Sequence, residues 1–92
     1  GLITALTGPG SSIGIPYEQG AKAGQALIPE VDGNKLELIV LDDATDPSSA
    51  ARNARKLTQD NKVDILIGSS NVPATLAALP VAREAETALI GI

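Results

Sequence analysis

Two short stretches of the chain are rich in groups that can hold an anion. The first is Thr7-Gly8-Pro9-Gly10-Ser11-Ser12-Ile13-Gly14 and the second is Gly68-Ser69-Ser70-Asn71-Val72. Each follows an apolar run and leads into a helical pattern. Small residues there expose backbone N–H groups, and a helix start adds the positive end of its dipole, so the natural guest is a carboxylate or phosphate. A βα loop without a ligand is the alternative for the first stretch. In the second, Asn71 or Ser70 can be a helix cap, which explains one of them; the surplus of polar groups points to a ligand. The candidate contacts are therefore Ser11, Ser12, Ile13, Ser69, Ser70, Asn71 and Val72. Hydroxyls and loop N–H groups would hold the anion, and Ile13 and Val72 would line its apolar side.

A third group, Asp42, Asp43 and Asp46, places three carboxylates close together in sequence. Such a set can suit Mg²⁺ or accept a phosphoryl group. Asp46 is already accounted for as the N-cap before Pro47, and paired acids at a strand end are commonly solvated or bonded to neighbouring loops. No metal and no cofactor is expected. Cys, His and Met are absent, which excludes a Cys/His metal site, a thiol nucleophile and a Ser-His-Asp triad. The net charge of −4, with no basic stripe, argues against nucleic acid as a partner.

Four apolar runs must position these loops: Leu2 to Leu6, Leu36 to Leu41, Val63 to Ile67 and Ala88 to Ile92. They are nearly continuous rather than alternating, as strands read when both faces of a parallel sheet are covered. Between them lie three helical patterns. The first spans Pro16 to Ile28, with an inward stripe of Tyr17, Gly20, Ala21, Gly24, Leu27 and Ile28, its glycines suiting close approach to the sheet. Pro29 stops it, and Asp32-Gly33-Asn34 is a turn signal. The second starts at Asp46-Pro47 and turns Ala50, Ala51, Ala54 and Leu57 inward. The third begins near Pro73, with Leu76, Ala77, Val81 and Ala85 inward and Pro80 set to kink it. The order β-α-β-α-β-α-β gives an α/β fold, an open parallel sheet with helices on both faces and strand order 2-1-3-4. In such a sheet ligands bind beyond the carboxyl ends of the strands, where all three loops lie.

The 92 residues allow one small domain, and a single Tyr with no Phe or Trp leaves a core of Leu, Ile, Val and Ala. No apolar run approaches the roughly 20 residues that span a bilayer, and no signal-peptide pattern is present. The chain starts inside one apolar run and stops inside another, which reads as a piece of a larger domain. An unpaired sheet edge would then favour self-association, by edge pairing or exchange of a terminal element.

With the loops placed, the sequence resembles the branched-chain amino-acid-binding family of type I periplasmic binding proteins. Leu6-Thr7-Gly8-Pro9 with Gly14 is similar to the family's first loop, and Gly20-Ala21 falls on its first helix. Leu41-Asp42-Asp43-Ala44-Thr45-Asp46-Pro47 resembles its acidic turn and helix start, the most specific piece. Ile67-Gly68-Ser69-Ser70, then Ala77 and Pro80-Val81-Ala82, resemble its third strand, loop and helix. The resemblance covers essentially all 92 residues. It implies an extracytoplasmic component of an ABC importer, working with a membrane permease and closing two lobes on an amino acid or related small carboxylate. On it, residues 1–92 are a partial N-terminal lobe without the second. Ile13 stands where the family often has an aromatic, and Val72-Pro73 resembles members that bind aromatic or other organic acids.

Two readings of another kind compete. Gly8-Pro9-Gly10 with Gly14, and Asp42 ending the second strand, resemble a nicotinamide-dependent short-chain dehydrogenase. Ser12 stands where that pattern needs Gly, and no Tyr-x-x-x-Lys pair exists. A receiver-type signalling domain needs an Asp ending the third strand, where Gly68 stands. A ligand-sensing receptor domain would share the same lobe.

Overall fold

Residues 1–91 are described by a computed structural model. Its elements are β1 (Leu2–Thr4), α1 (Ser11–Leu27), β2 (Glu30–Val31), β3 (Asn34–Lys35), β4 (Val40–Asp42), α2 (Pro47–Arg55), β5 (Ile65–Gly68), α3 (Val72–Glu84) and β6 (Ala88–Ile90). A π-helical turn, Lys56–Asp60, extends α2. The four apolar runs supply β1, β4, β5 and β6, each shorter than its run. The last run extends to Ile92, which lies outside the described residues.

These strands form one parallel sheet in the order β4-β1-β5-β6. Counted by apolar run, that is the expected 2-1-3-4. Leu2 pairs with Val40 on one side and with Ile67 on the other, and Leu66 pairs with Leu89. The extra β2–β3 pair is an antiparallel hairpin, Glu30 opposite Lys35 and Val31 opposite Asn34. Its turn is Asp32-Gly33, both at positive φ (51° and 79°), the backbone a two-residue hairpin requires.

Successive strand residues point to opposite faces. Ile3 and Leu66 face one side and pack with Ala50, Ala54 and Leu57 of the α2 region and Ala74, Ala78, Val81 and Ala82 of α3. Thr4 points to the other side, where its hydroxyl donates to the Gly14 carbonyl of α1 at 2.9 Å. Helices therefore cover both faces. Alanine dominates the α2–α3 contact, so the helices meet through their smallest side chains.

The second helix follows its sequence pattern: Asp46 caps it, accepting from the Ser49 N–H at 3.2 Å, and Ala50, Ala54 and Leu57 are buried. The third is rotated from expectation. It buries Ala74, Ala78 and Ala82, four residues apart, together with Val81, and leaves Leu76 61% exposed. The close α2–α3 contact selects the small-residue row, and Leu76 lies about 200° around the helix from Ala74. The first helix starts at Ser11, five residues before Pro16, and runs through that proline. Of its expected stripe, Gly20, Gly24, Leu27 and Ile28 are exposed. A Cβ at Gly20 or Gly24 would meet nothing within 4 Å, so close approach is not their role. That role belongs to Gly14, where a Cβ would overlap the Ala5 carbonyl oxygen. Among the described residues no helix is long and apolar enough to cross a membrane.

Candidate functional site

All three loops singled out in the sequence leave the carboxyl ends of neighbouring parallel strands. Residues 7–10 follow β1, residues 42–46 close β4, and residues 69–71 follow β5. β1 lies between β4 and β5, so the loops share one rim of the sheet.

The first and third loops each end at a helix start. Gly10 is the N-cap of α1 and offers no side chain, so the first turn carries Ser11, Ser12 and Ile13. Ser12 and Ile13 are exposed, and Ser11 is half-buried. At α3 the Asn71 side chain is the cap, accepting from the Ala74 N–H at 3.0 Å. Its Nδ2 is occluded from solvent and has no hydrogen-bond partner among the described residues. Val72, in the first turn, is 69% exposed. Among the described residues the Ser12 and Val72 N–H groups have no protein acceptor, as befits the open donors of a helix's first turn. Two helix N-termini thus bring free amides, hydroxyls and the apolar surfaces of Ile13 and Val72 to the same rim.

The two adjacent serines of the third loop differ. Ser70 is half-buried, and its Oγ accepts from the Ala5 N–H at 3.2 Å. Ser69 is fully buried, and its hydroxyl donates to Asp43 Oδ2. Ser70 and Asn71 are half-buried and Val72 is exposed, whereas the Ser69 side chain is fully buried against Asp43.

The acidic loop is a brace. Asp42 Oδ1 accepts from the N–H groups of Leu6 (2.8 Å), Thr7 (3.3 Å) and Ala44 (2.8 Å), and Oδ2 accepts from the Thr7 hydroxyl at 2.7 Å. Asp43, fully buried, also accepts from the Thr45 N–H at 2.8 Å. The Thr45 hydroxyl donates to the Thr7 carbonyl at 2.9 Å and accepts from the Gly10 N–H at 3.0 Å. Sequence reasoning placed the acids correctly as partners of neighbouring loops but missed Thr45, and also Thr75, whose hydroxyl accepts from the Ser69 N–H at 2.6 Å. These bonds join residues far apart in the chain, and no local motif announces them. Among the described residues no group of three or more acidic, His or Cys side chains is gathered to hold a metal ion.

Partial burial of Asp42 works against its ionised form, but the Thr7 hydroxyl and the Ala44, Leu6 and Thr7 N–H groups outweigh it and hold the carboxyl below its ordinary range. A folded-state pKa below the unfolded value gives stability that is present above about pH 4 and lost as pH falls through the folded pKa. Melting temperatures followed from about pH 6 down to pH 2 should therefore fall on the acid side. The Asp42→Asn variant should show a flatter acid limb; an unchanged limb would exclude Asp42 from the effect.

A groove of about 510 Å³ lies elsewhere, lined by α1 residues Ala21 and Gly24 and by Gly1, Ile39 and Asp64 near the amino ends of the strands. It is at the opposite end of the sheet from the rim, and its lining includes Lys35, Asn61 and Lys62.

The comparisons with known proteins agree with this geometry. A family model described as "Periplasmic binding protein" matches residues 1–92. An extracellular ligand-binding receptor from Rhodopseudomonas palustris is 42% identical, with a TM-score of 0.87 over 98% of this chain and 24% of its own. A solute-binding protein of an ABC transporter from the same species, solved with 3,4-dihydroxybenzoic acid, is 34% identical, with a TM-score of 0.92 over 98% of this chain and 25% of its own. A leucine-binding protein from Thermotoga maritima is 28% identical, with a TM-score of 0.94 over 98% of this chain and 26% of its own. The chain thus spans about a quarter of the length of these relatives. A comparison with curated proteins returned no match. A parallel sheet with two open helix starts at one rim, the family match over the whole chain and these structural neighbours lead to one conclusion: the chain belongs to the periplasmic binding protein family.

Proposed function

We propose that residues 1–92 form part of the N-terminal lobe of an extracytoplasmic solute-binding protein that delivers a small carboxylate to the permease of an ABC importer. The observation that carries the reading is the pair of helix N-termini at one rim, with the amides of Ser12 and Val72 lacking a protein acceptor. A carboxylate there would receive those N–H groups and the hydroxyls of Ser11, Ser12 and Ser70, each stronger for the ligand's charge. The occluded Asn71 Nδ2 is a further donor without an acceptor. Among the described residues the carboxylates of the rim, Asp42, Asp43 and Asp46, are bonded to loop and helix-cap N–H groups, which leaves hydroxyls, amides and apolar surface for a ligand.

Aromatic acids are the favoured ligands. Ile13 and Val72 are 55% and 69% exposed and give the rim two apolar walls. A relative with 34% identity holds 3,4-dihydroxybenzoic acid. The residues available here address a carboxylate and a ring, and none of the seven candidates offers a negative charge for an ammonium group.

The test is calorimetric titration of the full-length protein with 3,4-dihydroxybenzoate, benzoate, leucine and isoleucine, backed by thermal shift. Saturation with a true ligand at about 100 times its Kd should add about 2.7 kcal/mol of stability. Absence of heat and of any melting shift with all four compounds would remove the reading. Binding of leucine with no response to the aromatic acids would keep the lobe assignment and overturn the ligand preference.

A further inference from the structure

The most buried polar contact behind the rim joins two loops that the ligand reading treats separately. Asp43 and Ser69 are both essentially inaccessible to solvent, 26 residues apart, and bonded to each other. A serine hydroxyl has one proton to give, and that of Ser69 goes to Asp43. Its backbone N–H goes to the Thr75 hydroxyl at 2.6 Å. Ser69 therefore has no donor left for an anion. Ser70 next to it accepts from the Ala5 N–H and keeps its own proton. Asp43 forms no ion pair among the described residues and is held by the Ser69 hydroxyl and the Thr45 N–H. Losing either bond leaves a buried carboxylate oxygen without a donor, which the loop can relieve only by moving.

We infer that Asp43 and Ser69 are positioning residues: their buried hydrogen bond fixes the third loop so that the Ser70 hydroxyl and the Val72 amide meet the same ligand as the first turn of α1. Ser69 itself does not touch that ligand. The brace is complete on the other side, where Asp42 and Thr45 hold the first loop. The acidic turn thus sets the spacing of the two ligand-holding loops without contributing a contact. The inference rests on the ligand reading above.

A double-mutant cycle on the full-length protein tests it, with 3,4-dihydroxybenzoate and leucine as probes. Ser69→Ala should weaken the binding of the responding probe about tenfold, and Asp43→Ala at least as much. The double variant should be no weaker than the weaker single, because both changes break one contact, whereas Ser70→Ala should multiply with either. A purely structural role would lower the melting temperature and leave Kd unchanged, which overturns the inference. Multiplying effects of Ser69→Ala and Asp43→Ala also overturn it, since Ser69 would then act on the ligand independently. If the wild type binds neither probe, the ligand reading fails separately, and amide hydrogen exchange in Ser69→Ala decides the positioning. Faster exchange at Ala74 and Thr75, with Ala54 unchanged, supports a loop released from its brace; unchanged exchange overturns it.

Discussion

The Gly14→Ala variant is expected to lose about 2 kcal/mol or more of folding stability. A Cβ at this position overlaps the carbonyl oxygen of Ala5 and comes within 2.6 Å of its carbonyl carbon and 2.7 Å of its nitrogen. All three are backbone atoms of the segment leaving the sheet, so no side-chain rotation can relieve the overlap. Helix α1 would have to lift from the sheet, stretching the bond from the buried Thr4 hydroxyl to the Gly14 carbonyl. Overpacking of this kind costs about 3 kcal/mol or more, set against a gain of about 1 kcal/mol from replacing a helical glycine. A domain of this size has about 5–10 kcal/mol in total. The urea midpoint should fall accordingly, and ligand affinity should fall with it because Ser11, Ser12 and Ile13 move with the helix. A midpoint equal to wild type would mean that α1 is not seated on Ala5.

Leu66→Ala should be comparably severe, at about 2–5 kcal/mol. Leu66 lies on β5, between β1 and β6, and is fully buried under α2 and α3. Among the described residues the only large hydrophobic side chains buried this completely are Leu2, Ile3, Leu57 and Leu66. Most of their neighbours in the cluster are alanines, which have no χ angle with which to fill a gap. Leu76→Ala is the control. That side chain points away from the cluster, so its loss should change stability by no more than about 0.5 kcal/mol. Both are read by chemical denaturation at constant m-value. Equal effects at the two positions would contradict the burial described for α3.

What the sequence made legible follows from what is local. The near-continuous apolar runs located all four strands of the sheet, because a strand covered on both faces has no polar side to show. Asp46-Pro47 located α2, because a cap and an N1 proline act on adjacent residues. The start of α1 was not legible: Gly10 caps it without a side chain, and Pro16, which reads as a first-turn residue, lies inside. The buried face of α3 was misread because periodicity selects the larger side chains, while the contact with α2 selects the smaller. At the rim, composition singled out the loops, but not the different roles of Ser69 and Ser70. Adjacent and chemically identical, they differ only in what lies opposite them, Asp43 in one case and the Ala5 amide in the other.

The alanine row between α2 and α3 has a mechanical consequence. Alanine has no side-chain torsion to adjust, so a layer built from Ala50, Ala54, Ala74, Ala78 and Ala82 has almost no way to absorb a displacement by changing rotamers. A push on the start of α3 would then be transmitted along its axis, and the helix pair would shift as a stiff plate rather than deform.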